Sequence, residues 1–103
     1  MSGKSVWEIF VDECPKVAEA YMNLSKEINI NGSLDEKTRN LILIGIYSTT
    51  RDPVALKHFI RMALRAGASK DEIQTAALLA FNVGVSSAEL SIPLILETVQ
   101  EQN

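Results

Sequence analysis

The chain has 103 residues and a mass of 11.3 kDa, enough for one domain. Its 47% apolar and 22% charged residues are too apolar for a disordered chain, and ten basic against thirteen acidic side chains leave a net charge of −3, without the basic excess of a nucleic-acid or membrane-surface binder. A single cysteine, Cys14, excludes an intrachain disulfide, a CxxC redox pair and a multi-cysteine zinc site; His58 is the only histidine.

The opening residues Met1-Ser2-Gly3-Lys4 lack the apolar segment of a signal peptide. The longest uninterrupted apolar run, Leu41 to Tyr47, falls far short of the ~20 residues that span a bilayer. The expectation is a soluble, cytoplasmic protein. A chain of this size buries about two-thirds of its unfolded surface alone, so a large pocket inside one subunit is not expected.

Helix starts are marked along the chain. Ser5 with Glu8 reads as a capping box and opens a helix over 5–13. Cys14 then precedes Pro15, which suits a first turn, and a helix over 15–30 ends at Gly32. Ser33 with Glu36 reads as a second box and opens a helix over 34–50. Within it, Leu41-Ile42-Leu43-Ile44-Gly45-Ile46-Tyr47 has the β-branched content of a buried strand. No turn signal separates it from the preceding helical run, so one helix is expected. Asp52 caps Pro53 in a helix over 53–66, stopped by Gly67. Ser69 with Glu72 opens a helix over 70–83, stopped by Gly84, and a last helix over 87–101 carries Pro93, which should kink or divide it. The fold class is therefore all-α, with about six helices in a single domain.

Three of these helices are apolar nearly all round: Leu41–Tyr47, Ala76–Phe81 and the segment holding Ile92, Leu94, Ile95 and Leu96. Such helices need cover on every side, which six short helices cannot supply. At about 25 cal/mol per Å², covering a few hundred Å² gains several kcal/mol. A homo-oligomer is expected.

With about 100° per residue, Lys57, Arg61, Arg65 and His58 fall within an arc of about 100° on the fourth helix. One reading is an anion-binding wall, with arginines holding a carboxylate and His58 moving a proton near neutral pH. The other is a solvated face whose positive charge suits the helix C-terminus. Cys14 sits beside Asp12 and Glu13, which oppose thiolate formation, and reads as a half-buried small residue. Asp35–Glu36 and Asp71–Glu72 lie in helix first turns, where capping accounts for them, and Glu97–Glu101 are neighbours near the terminus. No metal-ligand set or phosphate loop is present as a motif. Trp7 and Phe10 read as packing anchors.

Two segments carry a resemblance. Ser33-Leu34-Asp35-Glu36-Lys37-Thr38-Arg39, followed by its apolar helix, and Lys57 through Ile73 around Ala66-Gly67-Ala68-Ser69 are together similar to the carboxymuconolactone decarboxylase family, which includes the alkylhydroperoxidase D-like proteins. The resemblance covers roughly residues 8–98. It implies an all-α alkylhydroperoxidase D-like fold and trimers or hexamers. The peroxidase branch of that family uses a Glu, a CxxC pair and a His. Anchored on Gly67, those places fall on Asn40, Asp52, Ala55 and Phe59, none of which carries the family residue. His58 lies one position early. Thiol–disulfide exchange is therefore not expected. The decarboxylase branch works without the cysteine pair on anionic lactones. The resemblance then implies a small carboxylated ligand held by Arg51, Arg61 and Arg65, with His58 as the catalytic group, no cofactor and no metal. The alternative is a catalytically silent member that binds a ligand or a protein.

Overall fold

The computed structural model describes residues 3–102. Met1 and Ser2, part of the opening segment read as lacking a signal peptide, lie outside them. Six helices are formed: α1 (Val6–Glu13), α2 (Pro15–Asn31), α3 (Glu36–Thr50), α4 (Pro53–Arg65), α5 (Lys70–Leu78) and α6 (Phe81–Glu101). There is no strand among the described residues. The chain divides into two compact units, Met1–Ser33 and Leu34–Asn103.

The first unit is the α1–α2 pair. Ser5 Oγ accepts the Glu8 N–H at 3.1 Å, half of the expected capping box. Trp7 holds the pair together: its ring meets Phe10 at 5.6 Å and the α2 residue Tyr21 edge-on at 5.8 Å. Ala18 is fully buried and marks the close approach. Lys4 pairs with Asp12.

The second unit packs α3 against α4 and α5, and α4 against α5. Ile44, Ala63, Ala68, Ile73 and Ala76 form its buried core, and Leu41, Leu56, Phe59 and Ile60 pack around them. The 41–47 run is helical, as the absence of a turn signal required. Its start differs from expectation. Asp35, not Ser33, is the N-cap, its carboxylate accepting the Thr38 N–H at 2.7 Å. A charged acceptor makes the stronger capping bond, and it draws the helix start two residues inward. Arg51 ends α3 in the left-handed region, at φ 58°, where sequence reasoning looks for glycine. Gly67 takes the expected left-handed turn at φ +95°.

Ser69 and Glu72 form the complete reciprocal box. The Lys37 ammonium, which pairs with Glu72 at 2.8 Å, and the Ser69 N–H hold the Glu72 carboxyl below its ordinary value of 4.5. The Thr38 N–H does the same for Asp35, below 3.8. Groups with depressed values stabilise the fold above the ordinary carboxylate range and lose that contribution as the pH falls through their folded values. Thermal stability should therefore drop as the pH is lowered below 4.5 and on past 3.8. The acid slope should flatten in the Asp35→Asn, Glu72→Gln double variant, as read by melting curves from pH 2.5 to 6.

Gly84 does not stop a helix. The break lies earlier, at Leu79–Ala80, where Ala80, Asn82 and Val83 donate to carbonyls three residues back. The tighter bonding offsets α6 from α5 without any left-handed residue, so a glycine was not needed. Gly84 lies inside α6, and a Cβ there would meet nothing within 4 Å. Pro93 is also accommodated within α6, which is not divided. No α6 residue is buried. By length and hydropathy alone, Lys70–Glu101 is apolar enough to cross a bilayer, although isolated polar residues punctuate it and leave no long uninterrupted apolar run.

Candidate functional site

Asp52 opens α4 by accepting the Val54 and Ala55 N–H groups at 3.1 and 3.0 Å. Pro53 occupies the first turn, where its missing N–H costs nothing. From this start the helix turns Leu56, Phe59, Ile60 and Ala63 inward and leaves Lys57, His58, Arg61 and Arg65 exposed. The expected cationic stripe is therefore formed. Arg65 Nη1 rests 3.9 Å from Met62 Sδ. Among the described residues, Arg51, Lys57, Arg61 and Arg65 make no ion pair; the two that form are Lys4–Asp12 and Lys37–Glu72. Arg51 stands exposed at the α3 C-terminus, just before the Asp52 cap.

Beneath the stripe lies an aromatic stack. Phe59 lies parallel to Tyr47 of α3, at 5.4 Å and 8° between planes. The His58 imidazole meets the Phe59 edge at 4.8 Å and 76°. Phe59 is thus a packing residue of the α3–α4 interface. Asn40 is buried, and its side-chain amide N–H donates to the Glu36 carbonyl at 2.9 Å. Asp52 is engaged as a cap, and Ala55 is half-buried.

A second feature was not foreseen. An open groove of about 750 Å³ runs between α3 and α5 to the start of α6, floored by Leu41, Ile42, Gly45, Ile46, Ala76 and Leu79. Its depth depends on small residues. A Cβ at Gly45 would come within 3.3 Å of the Ala76 carbonyl oxygen. Asp71 and Glu72 stand at one end, Glu72 already held by Lys37 and Ser69. The cationic stripe does not line this groove. No cluster of three or more metal-ligating side chains occurs among the described residues. Cys14, read as half-buried from sequence, is exposed and forms the α2 N-cap without a side-chain capping bond.

The family model for carboxymuconolactone decarboxylase matches residues 15–94, most of the chain and all of the α3–α5 core. The chain belongs to the carboxymuconolactone decarboxylase family. Among family relatives, it is similar to an uncharacterised protein of Methanocaldococcus jannaschii, at 30% identity over 92% of this chain and 90% of that protein. It is also similar to uncharacterised protein 4 in the cox locus of Paracoccus denitrificans, at 28% identity over 70% of this chain and 65% of that protein. A crystal structure of a Methanobacterium thermoautotrophicum protein superposes with a TM-score of 0.78 at 27% identity, covering 86% of this chain and 97% of that one. The all-α fold expected from the helix signals is thus the family's fold. Within it, Asn40, Asp52, Ala55 and Phe59 have hydrogen-bonding, capping and packing roles.

Proposed function

We propose that this chain is a decarboxylase-like family member that holds a small carboxylated, lactone-type molecule against the α4 stripe, in a site closed by a second copy of the chain. The observation that carries the reading is the exposure of Arg51, Arg61, Arg65 and His58 without an acidic partner among the described residues. Guanidinium groups are suited to planar, two-pronged recognition of a carboxylate. On an open helix face such a pair gains at most about 1 kcal/mol. Removal of water by a covering copy is what makes the contact selective. In the decarboxylation step, the bond to the carboxyl carbon breaks, the electron pair stays on the remaining carbon, carbon dioxide leaves and His58 returns a proton. Assembly as a trimer or hexamer, and a cytoplasmic setting, belong to the same reading.

A second reading is favoured by Phe59. With that ring stacked on Tyr47 in place of the family's histidine, the chain binds its ligand without turning it over. Calorimetry and product analysis with a panel of small lactone acids and dicarboxylates separate the two. Arg61→Ala should weaken binding by about tenfold or more, and His58→Ala should abolish turnover while leaving most of the affinity. Saturable binding without product selects the silent reading. Unchanged binding and turnover in both variants overturns the site.

A further inference from the structure

The groove between α3 and α5 differs from the α4 stripe in charge as well as in place. No Lys, Arg or His lines it, and its ionisable residues are Asp71 and Glu72. Both oxygens of Glu72 are occupied: Oε1 accepts the Ser69 N–H at 2.9 Å, and Oε2 meets the Lys37 ammonium at 2.8 Å. Asp71 is exposed and takes no part in the two ion pairs formed among the described residues, Lys4–Asp12 and Lys37–Glu72. Lys70, its chain neighbour, does not line the groove. Asp71 is therefore the free charge at that end. Elsewhere the wall is aliphatic apart from three threonines, of which Thr49 donates its hydroxyl to the Ile46 carbonyl at 2.6 Å.

The floor is set by backbone rather than by mobile side chains, because Gly45 brings α3 up to the Ala76 carbonyl. Its volume of about 750 Å³ suits a small molecule. Asp71 and Leu79 lie about 12 Å apart along α5, the reach of an extended alkyl chain of about eight carbons. We infer that this groove holds an elongated apolar molecule ending in an ammonium group, its tail along Ile42, Ile46 and Leu79 and its cation at Asp71. Charge complementarity selects the head. A carboxylate would meet Asp71 with no cation to answer it, since Glu72 already holds Lys37. The inference does not depend on the carboxylate site of α4, because the stripe does not line the groove.

Octylamine, octanol and octanoate share one tail and differ in the head, so titrating each into the isotope-labelled chain, below its aggregation concentration, tests the site. The amide resonances of Ile46 and Leu79 should move saturably with octylamine. Octanol should bind about three- to fivefold more weakly, the worth of one exposed ion pair, and octanoate more weakly again. Added salt should erase the advantage of the amine without weakening octanol. Asp71→Asn should make octylamine bind like octanol. Ile42→Ser with Ile46→Ser, both at exposed positions, should weaken all three probes. Arg61→Ala should change none of them, and an altered octylamine affinity there overturns the separation of the two sites. If Asp71 serves only to stabilise the start of α5, Asp71→Asn lowers the melting temperature and leaves the amine preference intact, which overturns the inference. Equal binding of all three heads overturns it too, by marking an indiscriminate apolar surface. So does a wild-type groove whose resonances respond to no probe, including one already covered by a second copy.

Discussion

Ile44→Ala should lower the free energy of unfolding by about 3 kcal/mol, within the ~2–5 kcal/mol range for such truncations. Ile44 is 1% exposed and is the largest fully buried side chain among the described residues. Its buried neighbours are mostly alanines: Ala63, Ala68 and Ala76. Short methyl groups cannot swing into the space that the isoleucine leaves, so the lost transfer energy comes with an unfilled cavity. A domain of this size has about 5–15 kcal/mol in total, so the loss is a large fraction. Urea titration at fixed chain concentration should show a lower midpoint with an unchanged slope. A loss below about 1 kcal/mol would mean that α3 and α4 relax onto one another, contrary to the core described here.

Ala63→Leu should destabilise by about 2 kcal/mol for the opposite reason. Ala63 is fully buried in α4, and its carbonyl accepts both the Ala66 and the Ala68 N–H. A leucine there must force α3 from α4 or disturb the turn that ends in Gly67. The two changes act on the same cluster, one adding volume and one removing it. The Ile44→Ala, Ala63→Leu double variant should therefore lose less stability than the two singles combined. Strict additivity would show that the two positions do not share a packing space.

Much of this architecture was legible because it is written in local chemistry. Ser69 with Glu72, and Asp52 before Pro53, fix helix starts through bonds spanning two or three residues. Gly67 fixes a stop through a single dihedral. Ser33 misled because Asp35, two residues on, offers a stronger acceptor. Gly84 misled because the actual break is made by carbonyls shared at closer spacing, which needs no special residue type. The stripe of Lys57, His58, Arg61 and Arg65 follows from helix periodicity. The Tyr47–Phe59 stack joins residues whose side chains become neighbours only when α3 and α4 pack. The groove was hidden for the same reason: Gly45 and Ala76 shape it by being small and lie on different helices.

The joint between α5 and α6 has a consequence for how any assembly is built. Leu79 and Ala80 both keep ordinary right-handed helical torsions, and only the bonding register changes across them. Small rotations spread over a few residues redirect the arm without crossing a steric barrier. The angle at which the last helix leaves the body is accordingly a soft coordinate, selected by whatever it grips. A partner that grips the last helix can therefore redirect it at this elbow without disturbing the α3–α5 core.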